Sequence, residues 1–214
     1  MKRSIVFVLA FLCVSCLSFA QSISIPGHKD KYSDFVTQLE SGNLSINFRE
    51  FRESLIDSKQ FIESGNKSEE LAKLDKEMKT LMGKEEYDGV IKTTGKILSI
   101  DYTSMMAHML RARAFEKKGD TLNQAKYRSI LDGLVNSIFD NGDGKTCVTG
   151  WPVIKVEEEY FILRAMGLQP LGQSVDKNGG ICDKIEVQTK EGGTLTYYFN
   201  VAKVFEGYNK RLGL

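Results

Sequence analysis

Four apolar stripes at helical spacing, all between Glu70 and Phe139, constrain this chain more than any other feature. Leu71, Leu74, Met78, Leu81 and Met82 form the first, and Tyr87, Val90, Ile91, Thr94 and Leu98 the second. Met105, His108, Met109, Ala112 and Phe115 form the third, and Tyr127, Ile130, Leu131, Leu134, Val135 and Ile138 the fourth. Steps of three and four residues bring each set onto one side of a helix, and that side must be covered by a neighbour. Gly83 with Lys84-Glu85-Glu86 separates the first two stripes. Gly119-Asp120 separates the last two, Gly as a helix stop and Asp as the N-cap of the next helix. Breaks this short join antiparallel neighbours, so the sequence predicts two antiparallel helix pairs.

A shift of 34 residues lays Leu71 on Met105, Leu74 on His108, Met78 on Ala112 and Leu81 on Phe115, and lays Glu85-Glu86 on Gly119-Asp120. This is the period of tetratricopeptide repeats. Ala107 to Asp120, with small residues at Ala112 and Ala114 ahead of Phe115, resembles the first helix and turn of such a repeat, and Leu98-Ser99-Ile100-Asp101 resembles the end of the unit before it. Two features depart from the pattern. Tyr102 stands where Pro is usual, and the second helices superpose only with a one-residue slip. The competing reading is two unrelated helical hairpins. The resemblance implies a concave surface lined by the first helix of each unit, on which Met106, Met109, Arg113, Glu116 and Lys117 are the binding-surface candidates. Two units alone leave open faces, so flanking elements are expected to cover them.

Ahead of the stripes, Tyr32, Phe35, Val36 and Leu39 predict a short helix that ends at Ser41-Gly42-Asn43. Ile46, Phe48, Phe51, Leu55, Ile56 and Phe61 predict one longer helix ending at Ser64-Gly65-Asn66. After Phe139 the pattern changes. Asp140 to Thr146 is a turn-rich loop, Val153 to Val156 reads as a strand and Glu157 to Gly167 as a short helix. Ile185 and Val187 alternate with Lys184, Glu186 and Gln188, and Lys190-Glu191-Gly192-Gly193 turns the chain into a return strand over Thr194 to Val201. A helix over Val204 to Leu212 follows. The fold class expected is mainly α, with tetratricopeptide-like antiparallel helix pairs and a small C-terminal β-hairpin element. One domain over residues 32–214 is expected, a helical repeat-like region over 32–139 and a small α+β tail over 140–214.

Lys2-Arg3, the apolar run from Ile5 to Leu17 and the small residues of Ser18-Phe19-Ala20 predict a signal peptide over residues 1–20, cleaved before Gln21. That run is too short to cross a bilayer. Lipid anchoring at Cys16 competes with this reading, but Cys13 stands where Leu is usual. Residues 21–31, with Pro26-Gly27, read as a flexible lead-in. No later stretch is long and apolar enough for a transmembrane helix, so an exported chain, periplasmic or extracellular, is expected. Removing Lys2 and Arg3 leaves 27 basic against 28 acidic residues, a formal charge of −1. Without a basic excess, nucleic acid is not an expected partner. Cleavage leaves Cys147 and Cys182, and an even pair in an exported protein predicts a disulfide. Two buried thiols are the alternative, since spacing does not establish proximity.

Gly142-Asp143-Gly144, Val153-Ile154, Glu158-Glu159-Tyr160, Gly167-Leu168, Asp183 and Tyr198-Phe199-Asn200 together resemble a bacterial family, domain of unknown function 4919. Upstream, Phe48-Arg49-Glu50-Phe51-Arg52 with Ser58 resembles that family's early helix. The resemblance implies an exported helical fold and no particular activity or substrate.

Chemistry-bearing patterns are sparse. The Asp140 to Thr146 loop has Gly142 and Gly144 where an EF-hand calcium loop needs oxygen ligands, so it reads as turns. Glu157-Glu158-Glu159 reads as a solvated first helical turn favoured by the helix dipole, since consecutive residues point in different directions. His28 and His108 are the only histidines, so neither a histidine metal site nor a triad is supported, and His108 reads as a core residue. Trp151, Tyr197, Tyr198 and Phe199 read as core rather than a ligand shelf. No cofactor motif is present. The expected function is a non-catalytic scaffold of the cell envelope that binds a protein or peptide; the alternative is a carboxylate-dependent envelope hydrolase acting through the tail.

Overall fold

The computed structural model describes residues 23–24 and 27–214. The expected signal peptide with Cys13 and Cys16, its expected cleavage site before Gln21, and Pro26 lie outside the described residues. Helix α1 (Lys31–Glu40) starts at Asp30, whose carboxylate accepts the Ser33 N–H at 2.9 Å. The longer helix expected next is two helices, α2 (Phe48–Asp57) and α3 (Lys59–Asn66). Ser58 divides them. Its backbone is extended at ψ 156°, and its hydroxyl accepts the Phe61 N–H at 3.2 Å, which caps α3. Serine favours this cap over continuing a helix, because its side chain competes for backbone donors.

Four helices follow: α4 (Ser68–Gly83), α5 (Tyr87–Ile100), α6 (Met105–Lys117) and α7 (Thr121–Phe139). Each packs on the next, and α4 also touches α6. The two turns repeat at the 34-residue step. The Glu86 N–H donates to Leu81 O at 3.0 Å and the Asp120 N–H to Phe115 O at 2.9 Å, and Glu85 (φ 59°) corresponds to Gly119 (φ 76°). Both are helix stops with a left-handed residue. Glu85 is the only non-glycine with positive φ among the described residues, a conformation that costs a side-chain-bearing residue what Gly119 avoids. Helices α5 and α7 start 34 residues apart, but their buried faces match at 33, Ile97 with Ile130 and Leu98 with Leu131. The turn before α6 explains Tyr102. Its N–H donates to the Tyr32 hydroxyl at 2.9 Å and its own hydroxyl donates to Glu40 at 2.5 Å, and proline supplies neither group.

The remainder builds β1 (Trp151–Pro152), α8 (Val156–Ala165), β2 (Gln169–Asp176), β3 (Cys182–Gln188), β4 (Thr194–Asn200) and α9 (Ala202–Leu212). The expected hairpin is part of a four-stranded mixed sheet in the order β1-β4-β3-β2, with β1 parallel to β4 and the other pairs antiparallel. The strand expected over Val153 to Val156 is instead the two-residue β1 just before it. Val153 still bonds its N–H to Asn200 O at 3.1 Å, but α8 begins at Val156. Strand β2 was not expected at all. Asp183, Ile185 and Val187 point inward from β3. Trp151 stacks on Tyr197 at 5.1 Å and stands edge-on to Phe199 and Phe139, which seats the sheet on the end of α7. Buried side chains from Ile23 to Val204 form one continuous cluster.

Ala112 lies in that cluster, 5% exposed, among the small residues Ala107 and Ala114 of α6. Replacing Ala112 with Leu forces an isobutyl group into a filled interface and should cost about 1–3 kcal/mol. Chemical denaturation checks this, and an unchanged midpoint would mean that α6 presents a different face to its neighbours.

Candidate functional site: a groove beside a buried ion pair

Arg52 of α2 and Glu158 of α8 form a bidentate pair, Nη2 to Oε2 at 2.6 Å and Nε to Oε1 at 3.1 Å, with both side chains out of solvent. Arg52 also donates to the Ser137 hydroxyl of α7 at 3.2 Å and to Pro152 O at 3.1 Å, while the Ile154 N–H donates to Glu158 Oε2 at 2.9 Å. Two helices and the β1–α8 connection are thereby fixed to α7, and every strong donor is matched, as a buried charge requires.

Beside this pair opens a groove of about 580 Å³, walled by α3, α4, the start of α6, α8 and α9. Leu55, Phe61, Leu71, Met106, Phe161 and Val204 give it an apolar lining. In its wall the Lys155 ammonium is paired with Asp101 and donates to the Thr103 hydroxyl at 2.8 Å. Burial pushes the Asp101 carboxyl up, but Lys155 and the two Thr103 hydrogen bonds outweigh it and hold that carboxyl below its usual range. The Arg211 guanidinium lies 3.9 Å over the Phe61 ring and donates to Phe61 O at 3.2 Å. The described lining residues include no histidine and no cysteine. A cleft of this size, with an apolar lining and a few charged groups, has the build of ligand sites in general.

A second polar cluster lies under the sheet. Gln173 of β2 donates to Asp183 at 2.6 Å and to Glu159 at 3.4 Å, and the Tyr160 hydroxyl donates to Gln173 at 2.5 Å. Glu159 is fully buried, and burial followed by the charge of Asp183 pushes its carboxyl up to about 9, so it keeps its proton at neutral pH.

The binding-surface candidates divide. Met106 lines the groove, and Met106 and Met109 are half-buried against the core, while Arg113, Glu116 and Lys117 are exposed along the same helix beyond the groove. Cys147 and Cys182 are joined by a disulfide, with Cα atoms 5.6 Å apart. The glutamate run is not a solvated turn. Only Glu157 is exposed, while Glu158 turns to Arg52 and Glu159 to the sheet, because two internal partners are available to compensate their burial. His108 is buried with Nε2 2.7 Å from Tyr102 O, and burial above all pushes it down to about 4. In the Asp140 to Thr146 loop, Asp143 accepts the Thr149 hydroxyl at 2.6 Å and the Lys145 N–H at 3.0 Å. Among the described residues no three His, Cys, Asp or Glu side chains are grouped to hold a metal ion. Sequence reading missed Arg52, Gln173 and the Asp101–Lys155 pair. The available signal was an arginine set inside the apolar stripe of Phe51, Leu55 and Ile56.

Fold and site define a mainly helical protein with a small mixed sheet and an interhelical groove. The model of a family described as a domain of unknown function, DUF4919, matches residues 58–210, and the chain belongs to that family. No curated protein and no solved structure matches the chain.

The protonated Glu159 makes stability depend on pH. An unfolded glutamate loses its proton near its ordinary value of 4.5, whereas the folded one holds it to about 9. This contribution is therefore fully favourable below the unfolded value and is lost as pH rises between the two. Glu159→Gln keeps the shape and stays neutral. It should raise stability at pH 8 by about 1–3 kcal/mol and flatten the decline between pH 6 and 8. Denaturation of both proteins across that range checks this, and equal slopes would show that Glu159 is ionised in the fold.

Proposed function

We propose that this is an exported, non-catalytic protein that holds a protein or peptide partner in the groove. The observation that carries the reading is the groove itself, a preformed and mainly apolar cleft open to solvent. The helix order supports it. In the repeat-like reading α4–α5 and α6–α7 are two tetratricopeptide-like units, and the first helices, α4 and α6, are the ones that contribute Leu71 and Met106 to the groove. The turns repeated at 34 residues favour that reading over two unrelated hairpins. Helices α2, α3 and α8 then pack on what two units leave open. A second reading, a carboxylate-dependent envelope hydrolase, draws on Glu159, because a carboxyl protonated at neutral pH beside a carboxylate is what general acid catalysis uses. Glu159 is fully buried and faces the sheet, which favours binding.

A photo-crosslinking side chain placed at Ala72, which lines the groove from α4, should give a discrete adduct in living cells. The same group at Lys92, exposed on α5, should give none. Adducts of equal yield from both sites, or from neither, would count against the groove as the binding surface.

Export is part of the proposal. It draws on Lys2-Arg3 and Ser18-Phe19-Ala20, and on a disulfide that an oxidising compartment sustains. Intact-mass analysis of the exported protein should find a chain starting at Gln21 with no thiol free to react before reduction. A diacylated chain starting at Cys16 would make it a membrane-anchored protein instead, and two reactive thiols would remove the disulfide.

A further inference from the structure

Strand β2 forms one edge of the sheet and pairs only with β3. The opposite edge, β1, is two residues long. An open edge offers alternate backbone donors and acceptors to any extended chain, and proteins usually blunt it with charge, proline or brevity. Here the blunting is confined to one end. Pro170 and a bulge between Pro170 and Gly172 lie at the start of the strand, while Gln169 to Val175 carries no charge at all. Leu171 and Val175 are each 53% exposed. The strand is also held firmly from inside, since Gln173 bonds to Asp183 and Tyr160 bonds to Gln173. A pre-ordered edge loses little entropy on pairing.

We propose that β2 pairs with β2 of a second copy, antiparallel about a two-fold axis near Gln173, which makes one continuous sheet across a homodimer. The segment is complementary to itself. Facing residues of an antiparallel pair share the same hydrogen-bonding direction, so the axis falls on a residue, and an axis at Gln173 sets Gly172 of one copy against Ser174 of the other, with Val175 and Leu171, the extra residue of the bulge, next outward. The uncharged stretch sets no like charges against each other. The Lys190 side chain lies against Gly167, just ahead of β2, and Asp176 of the second copy would arrive at that same end. A two-fold pairing of one patch with itself closes after two copies and does not propagate into fibres. The groove is built from other elements, so this surface stands whether or not the groove binds a partner.

Sedimentation equilibrium of the full exported chain, from micromolar to submillimolar concentration, tests the proposal. The expected result is a monomer–dimer equilibrium that Leu171→Lys and Val175→Lys each weaken by about tenfold or more, since lysine on an edge opposes strand pairing. Both residues are solvent-exposed, and circular dichroism confirms that the variants fold. Leu122→Lys, on α7 at an 80% exposed position, should leave the equilibrium unchanged. Hydrogen exchange of the unmodified protein gives a second readout, with β2 amides slowing as concentration rises. A monomer at every concentration overturns the proposal, as does a dimer that Leu122→Lys disrupts and the β2 lysines do not.

Discussion

The buried pair between Arg52 and Glu158 is the interaction on which the rest of the structure depends. It joins residues 106 apart in sequence and holds α2, α7 and α8 to one another through a single guanidinium. Such a pair is not in itself a large source of stability. Desolvating two charges offsets most of their attraction, and well-packed apolar residues often do as well. Breaking it is another matter, because one orphaned charge inside a core costs about 3–5 kcal/mol. The pair therefore acts as a registration device. With Ile154 N–H on one carboxylate oxygen and Pro152 O on the guanidinium, it sets where the β1–α8 connection enters the core, and that entry defines one wall of the groove.

A second polar assembly does the same work among α1, α6 and α7. The Glu40 carboxylate accepts from the Tyr102 hydroxyl and from Lys126 at 2.9 Å, and Tyr102 N–H reaches Tyr32. Arg111 lies over the rings of Phe115 and Tyr127 and donates to Ile91 O at 2.5 Å. His108 stays neutral among these groups, so the assembly carries its charge on Glu40, Lys126 and Arg111 and leaves the imidazole to pack. Helices α1, α6 and α7 are thus pinned by directional bonds as well as by apolar contact, which restricts how they can be arranged.

The helical half was legible because helical spacing repeats many times over: α4, α5, α6 and α7 each present several apolar residues on one face. What escaped reading had a local cause in each case. Ser58 sits inside an apolar stripe, and only its capping bond reveals the break between α2 and α3. Strand β2 is exposed on most of its length, so it has no inside and outside to alternate, and Pro170 and Gly172 argue against a strand. Arg52 on an apolar face reads equally well as a surface residue whose stem lies along the core. Glu158 and Glu159 stand where carboxylates are ordinarily solvated, at a helix start, and their partners lie far away in sequence. The groove itself depends on several helices meeting, and no single segment announces it. Family membership covers residues 58–210, and Arg52, which anchors Glu158 of that region, lies ahead of it.

The disulfide between Cys147 and Cys182 closes a covalent ring that contains β1, α8 and β2. Glu158, Glu159 and the open sheet edge all ride on that ring. The loop over Lys177 to Gly180, just before Cys182, is exposed and lies within it. A protease that cuts there leaves two polypeptides still tethered through sulfur, with β2 still packed on α8 and β3 still in its sheet. One nick in that loop would therefore alter the migration of the reduced protein on a gel and leave the groove and the sheet in place.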